Sequence, residues 1–242
     1  MTIPTGNNIH VDINYDSSEW KPISLTLVEY PKDDIFGLLL AWLSLAPLAI
    51  GAGFIALILF RRDLHTITFF VGTLCNELLN MTLKMWIQQP RPILRKGFYS
   101  EYGMPSSHAQ FMCFFSTYVL LFVLIRFHMN SNSTMERCYR GVIVGFCWFV
   151  TLFVCVGRVY LLYHTISQVF WGALGGILFG LYWFSFTHIV LGPLFPHIVC
   201  WKISEILLLR DTSLIPNVLW FEYTVTRQEA RSRARKLNGK IR

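Results

Sequence analysis

The chain has 242 residues, of which 54% are hydrophobic and 14% charged. Soluble domains carry about 25% charged residues, so this composition, with a mean hydropathy of +0.46, excludes an ordinary soluble domain. The formal charge of +7 does not mark a nucleic-acid binder, because the basic residues sit in short clusters, at the ends of apolar runs and near the C-terminus. No RNA- or DNA-binding motif accompanies them.

Residues 1–34 are polar and lack the apolar stretch of a cleavable signal peptide, so the first membrane helix is expected to act as its own signal. Within them Ile23 to Leu27 alternates like a short strand. Ile35 to Phe60 carries no charge and exceeds the ~20 residues needed to span a bilayer, and Arg61-Arg62 follows at once. Further spans are expected over about residues 64–87, 106–127, 139–156 and 160–186. Gly172, Gly175, Gly176 and Gly180 stripe the last of them with small residues, a helix-packing device. Residues 189–209 are apolar but broken by Gly192, Pro193, Pro196 and Lys202, which fits an interfacial or re-entrant segment. From residue 210 the chain reads as a solvated tail, with Arg227, Arg231, Arg233, Arg235, Lys236, Lys240 and Arg242 against Glu229, suited to anionic headgroups.

The expected architecture is all-α: a polytopic membrane helical bundle of about five transmembrane helices, six if residues 189–209 also cross. The divisions are a non-cytosolic segment 1–34, a bundle 35–209 and a cytosolic tail 210–242. Five crossings put Arg61-Arg62, the Arg126–Arg140 loop and the tail on one face, which the positive-inside rule makes cytosolic. The six cysteines show no CxxC or Cys/His spacing, so neither a disulfide framework nor zinc is indicated.

Three polar clusters stand beside these apolar runs: Lys84 with Arg91-Pro92, Pro105-Ser106-Ser107-His108, and Arg158 with His164. Ionisable groups at membrane depth are costly and mark sites. In the five-span topology all three clusters fall on the non-cytosolic face. Lys84 and Arg91, two helical turns apart, are expected to line one face near the exit of the second span. Asn76, Asn80 and Lys84 form an i, i+4, i+8 stripe with Glu77 beside it, which must face the bundle. Ser106 is placed as an N-cap, and the amides of the helix it opens suit phosphate oxygens. His108 follows in the first turn. Arg158 offers a planar fork to two oxygens. His164 and Gln168, i and i+4 on one helix face, allow the amide oxygen to accept from Nδ1–H and leave Nε2 bare. Each cluster alone has an ordinary reading: a snorkelling lysine, a capped helix, a satisfied core histidine. Their convergence favours a phosphate cradle with one imidazole to attack and one to protonate the leaving group. His10, His65, His128, His188 and His197 lack such company and read as structural or interfacial. Asn132-Ser133-Thr134 is a sequon on the cytosolic side, and Asn80-Met81-Thr82 lies within a span.

Lys84-x6-Arg91-Pro92, Pro105-Ser106-Ser107-His108 and Arg158-x5-His164 resemble the three motifs of the type-2 phosphatidic acid phosphatase (PAP2) superfamily, K-x6-R-P, P-S-G-H and S-R-x5-H-x3-D. Ser107 stands in place of the motif glycine, Gly157 of the serine and Gln168 of the aspartate; Glu77 is a second candidate for the aspartate's part. Tyr102–His108, Arg158–His164 and Arg210–Asn217 further resemble the dolichyl diphosphatases of the endoplasmic reticulum. That resemblance implies a PAP2-like fold and hydrolysis of dolichyl diphosphate to dolichyl phosphate at the lumenal face, recycling the carrier of protein N-glycosylation. It implies His164 as nucleophile, His108 as general acid/base, Gln168 as the residue orienting His164, and Lys84, Arg91, Ser106, Ser107 and Arg158 as phosphate ligands. No metal or cofactor is expected, and the partners are the polyprenyl lipid and the bilayer. Two alternatives stay open: a phosphatase of phosphatidate or another prenyl diphosphate, and a catalytically silent lipid-binding scaffold.

Overall fold

The computed structural model describes residues 20–23, 28–93, 102–126, 134–213, 215 and 218–240. It opens on an antiparallel hairpin, β1 (Trp20–Ile23) and β2 (Val28–Pro31), with Trp20 opposite Pro31 and Ile23 opposite Val28. Of the alternating run, Ser24 to Leu27 lies outside the described residues. Helices follow: α1 (Ile35–Leu43), α2 (Ala46–Arg61), α3 (Leu64–Ile87), α4 (Ser107–Leu121), α5 (Thr134–Tyr160), α6 (Ile166–Phe186), α7 (Phe195–Val199), α8 (Lys202–Leu207) and α9 (Val218–Lys240).

Among the described residues, four stretches are long and apolar enough to cross a bilayer: Ile35–Arg61, Ser107–Ile125, Arg137–Tyr160 and Ile166–Val199. α3, the other expected span, has 24 residues, or ~36 Å of helix. Its polar stripe lowers its hydropathy, and that stripe turns inward: Asn76 and Asn80 are fully buried. The outward surface is apolar, with Trp86 90%, Phe60 83% and Ile35 76% exposed. In a chain that spans a membrane, that belt faces lipid.

The first span is not one rod. α1 ends at Leu43, and the Ser44 hydroxyl donates to the Leu40 carbonyl at 3.0 Å. α2 restarts with Pro47 in its first turn, where a missing N–H costs nothing. The break lets α1 pack on α5 while α2 packs on α3 and α4.

α4 is the central helix, meeting α2, α3, α5 and α6. Its tightest partner is α6, because Gly172, Gly176 and Gly180 leave room for the α4 backbone and Thr117. A Cβ at 172 would come 2.6 Å from the Ser106 carbonyl oxygen, and one at 176 would come 2.2 Å from that of Gln110. Gly175 meets Gln110 only at ordinary contact distance, 3.7 Å. Below this seam Phe114, Tyr118 and Phe184 form an aromatic core, with Phe69 stacked on Tyr118 at 3.9 Å. Across α4, Ser116 and Thr151 share a hydroxyl hydrogen bond of 2.7 Å that joins α4 to α5.

One expectation for the C-terminal third is corrected. Gly192 and Pro193 do not stop α6. The helix changes type, through a π turn at Thr187–Leu191 and a 3-10 turn at Gly192–Leu194, and runs into α7. The basic tail is mostly helix α9. Its base is tied to the α2–α3 turn by an Arg61–Glu222 ion pair and by two backbone bonds: Arg210 N–H to the Arg62 carbonyl at 2.9 Å, and Leu64 N–H to the Arg210 carbonyl at 3.0 Å.

Candidate active site

Each of the three motif clusters lies at a helix end, and two connections, α3–α4 and α5–α6, bring those ends together. α3 stops at Ile87 with Gln88 left-handed at its C-cap, so Arg91 does not continue the helix face of Lys84. The two-turn spacing expected to align them is therefore not what places Arg91; the loop does. The start of that loop pairs with its own end, just before α4. Pro90 bridges Tyr102, and Gly103 N–H donates to the Gln89 carbonyl at 2.7 Å.

α4 begins at Ser107, after a cis Met104–Pro105 peptide, with Ser106 at the N-cap position. Ser106 does not cap with its side chain. Its N–H instead donates to the Gln168 carbonyl at 3.1 Å, and its fully buried hydroxyl has no partner among the described residues. The first amides of α4 itself, from Ser107 and His108, have no acceptor within the helix and stay available to an anion.

α5 ends at Tyr160, and the chain reverses through Leu162 at φ 56°, a left-handed conformation costly for a branched residue. The Arg158 carbonyl accepts from the N–H groups of both Tyr163 and His164 at 3.0 Å, closing a compact turn. α6 starts only at Ile166, so His164 and Gln168 do not share a helix face. Their contact arises from a capping box at Thr165. Gln168 N–H donates to Thr165 Oγ1 at 3.3 Å, and the Gln168 side chain folds back over the helix start.

That side chain is saturated. Its Oε1 accepts from His164 Nδ1 at 3.2 Å and from Thr165 N–H at 3.3 Å. Its Nε2 donates to the Pro90 carbonyl at 2.9 Å and to Gln89 Oε1 at 3.3 Å. An amide has two donor hydrogens and two acceptor lone pairs, so this pattern admits one orientation. Nδ1 of His164 must then carry the proton, leaving Nε2 bare. Arg91 Nη1 stands 3.5 Å from that Nε2.

His164 is 2% exposed. Burial, and after it the Arg158 and Arg91 charges, hold its imidazole well below the usual histidine range and so neutral at pH 7. Arg158, His164, Lys84 and Arg91 all lie within electrostatic reach of half-buried His108. Lys84 feels Arg91, Glu77 and Arg158. Glu77 thus sits beside the lysine, while Nδ1 of His164 is taken by Gln168. Arg158, 4% exposed, lays its guanidinium over the Tyr163 ring with Cζ 4.1 Å from the centroid.

The structure thus gathers Lys84, Arg91, His108, Arg158, His164 and Gln168, with Ser106 and Ser107 at the α4 end. Three further residues shape the site. Gln89 and Tyr163 carry no spacing signal. Gly103 is required by contact: a Cβ there would come 2.6 Å from Gln168 Oε1. Outside the site, His65 is buried and bonded to Ser213 Oγ at 3.1 Å, while His188 and His197 are exposed. The Asn80 amide donates to Gln110 Oε1 at 2.8 Å inside the bundle, so its sequon is closed. His10, His128, Asn132 and Ser133 lie outside the described residues.

Cations, helix-end amides and a bare imidazole nitrogen are what binding and attack on a phosphoryl group require. The pattern of the PAP2 superfamily matches residues 65–190. Dolichyldiphosphatase 1 of Rhinolophus ferrumequinum is 52% identical over 227 residues, and that of Homo sapiens 51%, each covering 93% of this chain and 95% of the relative. Lipid phosphate phosphatase gamma of Arabidopsis thaliana is 38% identical over 213 residues, 84% of this chain and 89% of that protein. No solved structure matches.

Proposed function

Because the chain belongs to the PAP2 superfamily, we propose that it is a membrane phosphatase that hydrolyses dolichyl diphosphate to dolichyl phosphate and inorganic phosphate. Lys84, Arg91, Arg158 and the amides of Ser107 and His108 hold the terminal phosphate. His164 Nε2 attacks its phosphorus in line, forming an N–P bond as the bridging P–O bond breaks. His108 gives the proton that the departing dolichyl phosphate takes up. Water then attacks the phosphohistidine, its proton passes to His108, the N–P bond breaks, and inorganic phosphate leaves. The cations and amides supply the charge stabilisation, so the scheme needs no metal ion.

The observation that carries this reading is the geometry at His164: Nδ1 fixed by Gln168 at 3.2 Å, and an unprotonated Nε2 whose lone pair faces the Arg91 Nη1 donor at 3.5 Å. The cradle sits at helix ends, where a headgroup enters from water while a polyprenyl tail stays in lipid. By the positive-inside rule this face is non-cytosolic; the likeness to dolichyldiphosphatases supports taking it as the lumen of the endoplasmic reticulum, where the reaction would recycle the carrier used for N-glycosylation. The N-terminal segment then lies in the lumen and α9 in the cytosol.

Purified protein in EDTA is expected to release phosphate from dolichyl diphosphate at least about tenfold faster, in kcat/KM, than from phosphatidate. Strict dependence on added divalent metal would refute the scheme. The second reading, a broader lipid phosphate phosphatase, has support from the 38% identity to lipid phosphate phosphatase gamma. Equal rates on the two lipids would favour it.

A further inference from the structure

β2 and α1 lie before residue 65, outside the matched family region, yet they touch the catalytic turn at successive points. A Cβ at Gly157 would come 3.3 Å from Leu40 Cβ and 3.5 Å from its carbonyl oxygen, so the position of the motif serine is one that α1 packs against. The Tyr160 hydroxyl donates to Asp34 Oδ2 at 2.9 Å, and its ring meets Phe36 edge-on at 5.3 Å. Leu161, fully buried, packs in one apolar cluster with Val28, Leu40, Ala41 and Tyr163. The Tyr163 hydroxyl accepts from Glu29 N–H at 2.8 Å.

These contacts converge on Arg158. An arginine side chain has many rotamers, and holding one of them for a ligand costs conformational entropy. Tyr163 removes much of that freedom by presenting its ring face to the guanidinium at 4.1 Å. The ring itself cannot swing, because its hydroxyl is pinned to the β2 backbone and its body is 3% exposed. Its phenol also lies within electrostatic reach of Arg91.

We propose that β2 and α1 form a collar that sets the catalytic turn, and that Tyr163 is the positioning residue holding Arg158 in place for the phosphate. This gives the N-terminal segment a task in catalysis without contact with substrate. It rests on the phosphatase reading above, but it is tested separately by the binding of inorganic phosphate.

The full-length chain in detergent is compared with Tyr163→Phe and Tyr163→Leu, by steady-state kinetics on dolichyl diphosphate and by titration with inorganic phosphate. Tyr163→Leu is expected to raise KM and the phosphate Kd by about tenfold or more, the scale of a desolvated cation–π contact, with a smaller change in kcat. Tyr163→Phe keeps the ring but frees it from β2, and is expected to weaken phosphate binding by an intermediate factor of about threefold to fivefold. If Tyr163→Leu does not fold, Gly157→Ser replaces it: the added side chain meets Leu40 Cβ and its carbonyl oxygen, and phosphate binding should weaken by about threefold or more. KM and phosphate Kd both within about twofold of wild type in Tyr163→Leu, or in Gly157→Ser where that variant stands in, would overturn the collar. A wild type that binds phosphate but never cleaves the lipid, with binding still weakened in Tyr163→Leu, would sink the functional reading and uphold the collar.

Discussion

At Gln168 a neutral amide takes the place of the family's carboxylate, and its surroundings are built for the amide. Both Nε2 hydrogens point at oxygens, the Pro90 carbonyl and Gln89 Oε1. A glutamate there would set a carboxylate against those acceptors in a fully buried position, at a cost of about 1–3 kcal/mol. Gln168→Glu is therefore expected to lower kcat/KM by about tenfold or more, although it restores a carboxylate. Equal or higher activity would mean that the Pro90 and Gln89 bonds are incidental. His164 leads to a second expectation. In the proposed scheme its neutral form attacks, and burial with Arg158 and Arg91 depresses its pKa, so activity should persist as pH falls through the ordinary imidazole value of ~6.5. The acid limb of kcat/KM, which reports the free enzyme, should lie below that value. An acid limb at or above it would contradict a buried, neutral nucleophile. The chemistry of these residues was legible in the chain because cations and imidazoles have no cheap reason to sit at the ends of apolar runs. Tyr163 and Gln89 were not legible, because a tyrosine or glutamine in a loop acquires its role only from what folds against it.

At the scale of elements, spacing predicted contacts better than it predicted their cause. His164 and Gln168 do meet, but through a capping box at Thr165, since α6 begins two residues after the histidine. Lys84 and Arg91 belong to one site, but a left-handed residue ends α3 between them. Periodicity reads the interior of a helix, and helix ends are set by local hydrogen bonds that it does not encode. The glycine stripe was legible because only small residues allow such close approach of two backbones. Its members differ, which gives a discriminating test. Gly176→Ala would drive a methyl to 2.2 Å of the Gln110 carbonyl oxygen and is expected to cost about 1–3 kcal/mol. Gly175→Ala meets its neighbour at 3.7 Å and should be neutral within about 0.5 kcal/mol. Unfolding in detergent, followed by loss of the α4–α6 contact, separates the two. Equal stability of both variants would show that the seam can spread without penalty. The extension of α6 through a π turn and the helicity of α9 were not legible, because Gly192, Pro193 and a run of like charges ordinarily end a helix.

For the whole molecule, the proposed five-span topology puts every motif on one side of the bilayer, and the gathered cradle is consistent with that common side. Sidedness is directly testable. In sealed microsomes a water-soluble short-chain prenyl diphosphate added outside should be hydrolysed poorly until detergent opens the vesicles. Full activity without detergent would put the cradle in the cytosol and invert the topology. The most direct test of the central claim is rapid-quench labelling with substrate carrying radiolabel in its terminal phosphate. Wild type should pass through an acid-labile phosphoenzyme, His164→Ala should form none and release no phosphate, and His108→Ala should form it slowly and discharge it more slowly still. Undiminished phosphate release by His164→Ala would contradict the account.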